Sequence, residues 1–284
     1  MSFVCLLLST LIAVFFAGSS CDAFSIRTPQ SPAVQIQRRR QSLTMSQEGP
    51  ARQLCSVIWD VDGTLSDSFR LGYDATTTVL GRAVSEEEYH YGTRYTTPER
   101  LSRHQGLDPE KDGKEFWEVG NELGRKFDEL YISLVTMETA GFFPLLRDVV
   151  EELGDRGILQ GALTNAAVLY AEAVLKCNGV RPLFRSVQGA DTVPKPKPQP
   201  DGLFQVCKEL GMDPLSCVYV GDSPSDGDAS RAAGLFSVGV LWGSHKRETL
   251  EGKFDVIVES PEDLREVLSK IVKGENQGLA ALKI

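Results

Sequence analysis

Six short apolar runs, each too brief for a helix, recur with helix-like stretches between them, and this alternation restricts the fold more than any other feature. The runs cover 54–59, 158–164, 184–188, 217–220, 236–241 and 254–258. Helix patterns lie at 144–153, opened by Pro144 and followed by Gly154, at 166–177, and at 201–210, closed by Gly211. Strands joined by crossover helices run parallel, so the expected class is α/β. One stretch breaks the pattern. Within 67–140, Phe116, Val119, Leu123, Phe127, Leu130, Leu134 and Met137 recur at spacings of three and four, which predicts one face of a long helix. The expectation is a core formed by 54–66 and 141–272, a helical insert at 67–140 and a tail at 273–284. A chain of 284 residues, 42% hydrophobic, is long enough to bury a core of that kind.

Charge is unevenly spread. Residues 24–47 carry Arg27, Arg38, Arg39 and Arg40 and no acid, whereas residues 48–284 carry 26 basic against 38 acidic side chains. A body with a net charge of −12 by that count is a poor nucleic-acid partner. Four body cysteines, Cys55, Cys177, Cys207 and Cys217, are scattered with no C-x-x-C pair, which supports neither a disulfide framework nor a zinc site. The run from Phe3 to Ala17 is almost wholly apolar and is followed by Gly18-Ser19-Ser20-Cys21-Asp22-Ala23, which predicts a signal peptide over 1–23. A membrane anchor is the rival reading, but a spanning helix wants ~20 apolar residues. The acid-free segment 24–45 has the composition of a transit peptide. Two signals in series, with Phe24 opening the second, resemble the bipartite presequences of algae whose plastids have extra membranes. That resemblance implies a plastid protein with no membrane in its mature form; the secretory pathway is the alternative. Reduced cysteines suit a stroma better than an oxidising lumen.

The first run ends in Asp60-Val61-Asp62-Gly63-Thr64-Leu65, two carboxylates two residues apart just beyond a strand, where open α/β sheets bind ligands. A calcium loop would place its glycine two positions later. The second run ends in Thr164-Asn165, the fourth leads into Gly221-Asp222-Ser223-Pro224-Ser225-Asp226, and Pro194-Lys195-Pro196-Lys197-Pro198-Gln199-Pro200 lies between them. Of the two Lys-Pro steps, the one at Lys197 leads directly into a helix, with Asp201 as the expected N-cap.

These four motifs, in this order, resemble the haloacid dehalogenase-like hydrolases, specifically the phosphoglycolate phosphatase-like branch with a helical cap after the first motif. The resemblance covers about residues 54–272 and implies a Rossmann-like parallel sheet core with an inserted all-helical cap. On it, Asp60 matches the nucleophile and Asp62 the general acid/base. Thr164 and Asn165 match phosphate ligands, Lys197 the phosphate-facing lysine, and Asp222 and Asp226 the acidic magnesium motif. Mg²⁺ held by Asp60, the Asp62 backbone carbonyl, Asp222 and Asp226 would offset the repulsion between carboxylate and phosphate. One departure is Phe143-Pro144-Leu145, where the family usually carries a Pro-Gly turn.

The expected function is therefore magnesium-dependent hydrolysis of a small phosphorylated metabolite, 2-phosphoglycolate above others, through an aspartyl-phosphate. A sugar-phosphate phosphatase, a phosphoglucomutase-type phosphotransferase and a catalytically idle binding protein remain as alternatives. From 67 to 140 the insert holds 9 basic and 15 acidic side chains, yet 89–105 holds Arg94, Arg100 and Arg103 with His90 and His104 against Glu99 alone. A guanidinium grips a carboxylate bidentately, which makes these three arginines candidates for reading the substrate's carboxylate.

Overall fold

The computed structural model describes residues 55–272; the expected leader segments 1–23 and 24–45 and the tail 273–284 lie outside the described residues. Six strands, β1 (Ser56–Trp59), β2 (Leu159–Leu163), β3 (Phe184–Gln188), β4 (Cys217–Gly221), β5 (Phe236–Val240) and β6 (Val256–Val258), form one sheet in the order β3-β2-β1-β4-β5-β6. Every pairing is parallel, with Val57 of β1 opposite Gln160 of β2 and Val218 of β4. The strand order reverses at β1, and the first motif leaves the sheet there.

The strands read as continuous apolar runs because helices cover both faces. Val57 and Trp59 belong to one apolar cluster, with Val149 and Val150 of α6 (Leu146–Asp155), Val174 of α7 (Val168–Cys177) and Leu268 of α11 (Pro261–Val272). Ile58, between them, points to the other cluster, with Leu203 and Val206 of α8 (Asp201–Leu210) and Ala229 of α9 (Pro224–Ala233). The last strand is shorter than expected. Asp255 precedes the strand, its carboxylate accepting from the Ser237 N–H and hydroxyl while its own N–H donates to Ser237 O. Asp201 is the first residue inside α8 rather than its cap, since Pro200 already has helical dihedrals of −80° and −5°. Helix α6 starts two residues later than expected. Leu145 caps it with φ of 70°, the left-handed backbone that the family's glycine takes without cost and that costs other residues roughly 1–2 kcal/mol.

Between β1 and β2 stand five helices, α1 (Phe69–Leu80), α2 (Glu86–Gly92), α3 (Thr97–His104), α4 (Gly113–Ser133) and α5 (Met137–Ala140). No helix among the described residues is long and apolar enough to cross a membrane. The expected apolar stripe runs too far along α4. Leu134 and Met137 lie past its end and are 40% and 54% exposed, because Thr136 opens a new helix by a capping box with Thr139. The face that α4 buries is Phe116, Gly120, Gly124, Phe127 and Tyr131. Two of those five are glycines, which a count of large apolar residues passes over. Both lie against Pro98 of α3.

The insert joins the core through two paired linkers. Asp67 N–H donates to Gly141 O (3.0 Å) and Phe143 N–H to Leu65 O (2.9 Å). Buried Asn178, at the end of α7, pins the returning linker: its amide donates to Ala140 O at 3.1 Å and accepts from Phe142 N–H at 2.9 Å.

Gly120→Ala tests the helix contact. In an open helix this change stabilises by roughly 0.5–1 kcal/mol. Here an added Cβ would lie 2.4 Å from Pro98 O and 2.6 Å from Ser102 Oγ, and the backbone atom has no easy retreat. The expected outcome is a net destabilisation of about 1–3 kcal/mol, read as a lowered Tm; a raised Tm would mean that α3 and α4 are not in contact at this point.

Candidate active site

The loop beyond β1 is shaped by its glycine. Leu65 and Ser66 N–H both donate to Val61 O, and Gly63 turns the chain with φ of 75°. A Cβ at Gly63 would lie 2.4 Å from Asp222 Oδ2, so this position needs glycine both for its backbone and for space. Around this loop, at the C-terminal ends of the central strands, lies a cavity of about 360 Å³. Asp60, Asp62, Thr164, Asn165, Lys197 and Asp222 line it from the core, and Tyr89, His90, Arg100, Phe127 and Tyr131 line it from the helical insert.

Lys197 organises the floor. Its ammonium donates to Asp60 Oδ1 (2.6 Å), Asp226 Oδ1 (2.7 Å) and Leu163 O (3.2 Å) and lies 3.0 Å from the Tyr219 hydroxyl. Asn165 holds this lysine by its backbone: the amide accepts from Lys197 N–H and donates to Lys197 O, both at 3.0 Å. The Asn165 side chain, expected on the phosphate, is thus engaged with the lysine loop. Lys195, two residues earlier, is exposed.

Asp226 sits at the third position of α9 and forms a capping box with Ser223. Its Oδ2 accepts from the Ser223 N–H and hydroxyl, while Oδ1 accepts from Lys197 and the Tyr219 hydroxyl. Asp222 Oδ2 accepts the Ser244 N–H at 2.7 Å. One carboxylate oxygen each of Asp60, Asp222 and Asp226 lies within 4.8 Å of the others. Three buried carboxylates against one ammonium leave two negative charges unmatched, and hard oxygen donors in that number fit a divalent cation such as Mg²⁺. Each Asp226 oxygen accepts two hydrogen bonds, whereas each Asp60 oxygen accepts one and Asp222 accepts one in all, so Asp60 and Asp222 offer the freer ligand atoms, and Asp226 shares Lys197 with Asp60.

The charge states follow from this crowding. Burial pushes the Asp60 carboxyl well above the usual carboxylate range against the pull of Lys197. Burial, then the Asp226 charge, pushes Asp222 up to about 7. Burial also raises Asp226, but Lys197 and the hydrogen bonds from Lys197, Ser223 and Tyr219 outweigh it and hold this carboxyl below its ordinary value. Lys197 is raised because Asp226 and Asp60 outweigh the cost of its burial.

Asp62 has different company. Its Oδ1 accepts from Ser68 (2.6 Å), Tyr131 (2.9 Å) and Tyr170 (2.6 Å), and its Oδ2 lies 3.3 Å from Thr164 Oγ1. Burial, then the Asp62 charge, pushes both phenols well above their usual value, so they remain donors.

Of the three cap arginines, the structure brings only Arg100 to the cavity. Arg94 lies over the Tyr91 ring and donates to Tyr91 O, and Arg103 pairs with Glu99 at 2.7 Å. These exposed or self-contained pairings keep both guanidiniums away from the lining. Arg100 is 6% exposed, donates to Thr76 Oγ1 (3.0 Å) and lies over the rings of Tyr89 and Phe127. Among the described residues no carboxylate lies within 4.0 Å of it.

Ser68, Tyr131, Tyr170, Tyr219 and the segment Trp242-Gly243-Ser244 escape sequence reasoning. The last had a signal, since it directly follows β5 at the ligand-binding end of the sheet. Trp242 donates to Thr64 O (3.0 Å), and Gly243 packs so closely that a Cβ would lie 2.3 Å from Asp222 Oδ2.

The raised carboxyl of Asp222 has a sign that can be measured. Its folded value, about 7, exceeds the ordinary value of 3.8, so the folded state holds the extra proton between them and stability falls as pH rises through that window. The depressed Asp226 contribution is already complete above about pH 4. Without divalent cations, Tm should fall between about pH 5 and pH 7.5, and saturating Mg²⁺ should raise it more at the higher pH. An equal Mg²⁺ effect at both would reject a cation at these carboxylates.

The chain matches the haloacid dehalogenase-like hydrolase family over residues 57–240. It is 30% identical over 240 residues to a phosphoglycolate phosphatase of Shigella boydii, covering 78% of this chain and 94% of that protein. It is 27% identical over 222 residues to a phosphoglycolate phosphatase of Synechococcus elongatus, covering 77% and 99%. Among solved structures, CbbY from Rhodobacter sphaeroides in complex with phosphate superposes with a TM-score of 0.61 at 25% identity, covering 73% of this chain and 94% of that one. With its acidic cluster at the strand ends and this breadth of match, the chain belongs to the haloacid dehalogenase-like hydrolases, in the branch that holds these phosphoglycolate phosphatases, and is a phosphatase.

Proposed function

We propose that the enzyme hydrolyses 2-phosphoglycolate with Mg²⁺ as cofactor, Asp60 attacking phosphorus and Asp62 moving the proton. The observation that carries the substrate is Arg100. A buried guanidinium with no carboxylate within 4.0 Å, and only the Asp128 charge acting on it from farther off, is costly, and a substrate carboxylate opposite the acidic floor would offset that cost. The relatives' activity on phosphoglycolate supports the same reading.

In the proposed reaction an Asp60 oxygen forms a bond to phosphorus while the bond from phosphorus to the glycolate oxygen breaks. Asp62 gives its proton to that departing oxygen. Water then loses a proton to Asp62 and attacks the aspartyl-phosphate, which releases inorganic phosphate and restores Asp60. Lys197 holds the nucleophile in place and presents positive charge to the phosphoryl group, and Thr164 offers its hydroxyl from the end of β2. Each carboxylate–phosphate charge pair repels by ~4 kcal/mol at 4 Å and an effective dielectric near 20. Mg²⁺, held by Asp60, the Asp62 carbonyl and Asp222 with Asp226 behind them, would supply the charge that offsets this repulsion.

A phosphate-release screen across small phosphomonoesters tests the reading, and a tenfold preference in kcat/KM for a sugar phosphate would overturn the substrate. Asp60→Asn should abolish turnover and covalent phosphorylation. Lys197→Ala should slow turnover by about 10²–10³-fold, as loss of a preorganised electrostatic donor does. Full activity after chelation of divalent cations would reject the metal.

For Arg100, Arg100→Lys keeps the charge and removes the planar fork. It should lower kcat/KM for 2-phosphoglycolate by about 10–100-fold, the worth of a charged hydrogen-bonded pair, and leave p-nitrophenyl phosphate within about threefold. Equal losses on the two substrates would show that this guanidinium does not read the carboxylate.

We also propose that the enzyme works in a plastid, supported by the apolar run and the acid-free arginine segment that follows it. A reporter fused to residues 1–50 should enter that organelle; secretion or cytosolic diffusion would sink the idea.

A further inference from the structure

Asp62 is held by two tyrosines that come from different parts of the fold and meet beside the cavity. Tyr131 belongs to the last turn of α4 in the helical insert, and Tyr170 to the first turn of α7 in the core. Their rings stack with centroids 3.9 Å apart and planes 16° apart, and both side chains are buried. Phe127, one turn earlier on α4, packs against the Tyr131 ring at 4.8 Å. Both hydroxyls converge on a single atom, Asp62 Oδ1, at 2.9 and 2.6 Å, where Ser68 also donates at 2.6 Å.

The distribution of donors is lopsided. A carboxylate oxygen has two lone pairs, so three hydroxyl donors occupy Oδ1 fully, whereas Oδ2 has only the long Thr164 contact at 3.3 Å. A proton cannot readily sit on an oxygen that is already accepting from three donors. It can sit on Oδ2. The stacked pair also fixes the rotation of the carboxylate, because either oxygen can exchange places only by breaking all three bonds at once. Two of those bonds cross from the insert to the core, the Ser68 bond beside the first linker and the Tyr131 bond from the far end of α4, so the orientation depends on the insert being seated over the sheet.

We propose that Tyr131 and Tyr170 form a clasp that makes Asp62 Oδ2 the proton-carrying oxygen, and that Tyr131 ties the competence of Asp62 to the seating of the helical insert. The clasp rests on the reading of Asp62 as general acid/base. Both tyrosines are positioning residues, acting through Asp62 without touching the reacting atoms. The ring stack supplies the rigidity and the hydroxyls supply the orientation, so Tyr→Phe separates the two: it keeps the packing and removes only the donor.

The test compares leaving groups in single-turnover experiments with Mg²⁺, using Tyr131→Phe, Tyr170→Phe, Asp62→Asn and the combinations of each tyrosine change with Asp62→Asn. An alkyl phosphate needs a proton on its departing oxygen; p-nitrophenyl phosphate does not. The alkyl substrate is 2-phosphoglycolate, or whichever alkyl phosphate the unaltered enzyme turns over fastest. Each Tyr→Phe change should slow first-turnover release of the alkyl alcohol about tenfold, a fraction of the 10²–10⁴ typical of acid catalysis, with KM within about twofold. The first-turnover burst of p-nitrophenolate should stay within about twofold, while breakdown of the aspartyl-phosphate slows equally from either substrate. In the Asp62→Asn background the tyrosine changes should cost almost nothing further, since they act through that carboxylate.

Equal slowing of the p-nitrophenolate burst and of alcohol release, or tyrosine effects that persist undiminished in the Asp62→Asn background, would overturn the clasp while leaving Asp62 its role. An Asp62→Asn enzyme that releases the alkyl alcohol at the full rate would overturn the acid/base reading and the clasp with it. Melting curves of the Tyr→Phe enzymes close to that of the unaltered protein exclude a loss of fold as the source of any slowing.

Discussion

The site depends on one ammonium group surrounded by acids. Lys197 touches Asp60, Asp226, Tyr219 and the carbonyl that ends β2, and it does so while almost fully buried. Buried ion clusters of this sort are poor contributors to stability, since desolvation consumes much of their Coulomb attraction. The surrounding structure therefore has to hold Lys197 there. Asn165 does so with two hydrogen bonds to the lysine backbone, which couples the loop after β3 to the loop after β2. The capping box of α9 does the same for Asp226. The beginning of one helix, two loops and two strand ends are thus fixed by a single charge.

The core and the helical insert divide the work. Groups that would handle the phosphoryl group stand on strand ends, where a sheet packed on both faces leaves little freedom. Groups that face the rest of the cavity stand on helices joined to that sheet by two short linkers paired through backbone hydrogen bonds. Asn178 fixes where the second linker re-enters, and Leu145 accepts a left-handed backbone to start the next helix. Gly120 and Gly124 let α4 lie closely against Pro98 of α3, the helix that carries Arg100 to the cavity.

Much of this was legible in the sequence because its physical causes are local. A strand buried on both faces has to be apolar throughout, so six runs announced six strands, and acids directly after apolar runs marked the ligand-binding end. What escaped depends on which way a side chain points in space. Arg100 and Arg103 share one short helix three residues apart, yet one enters the cavity and the other pairs with Glu99. Tyr131 and Tyr170 look in sequence like ordinary core aromatics, and only their meeting where the insert packs on the core gives them a shared partner in Asp62. The overrun at Leu134 and Met137 has a local cause that periodicity cannot see, the capping box at Thr136.

Two carboxylates separated by one residue have thus been given unlike surroundings, and the difference suits unlike tasks. Asp60 faces a fixed cation and two further acids, with only the Thr64 hydroxyl beside them. Burial and the two acids push Asp60 toward its protonated form and Lys197 opposes them, so a divalent cation is what would tip it to the carboxylate form that a nucleophile needs. Asp62 faces hydroxyls alone. A hydroxyl can rotate and can donate or accept, so it stays hydrogen-bonded to its partner whether or not that partner holds a proton. A group that must carry a proton in one step and take one in the next is best kept among partners of this kind, without an ammonium paired to its carboxylate that would hold it ionised throughout.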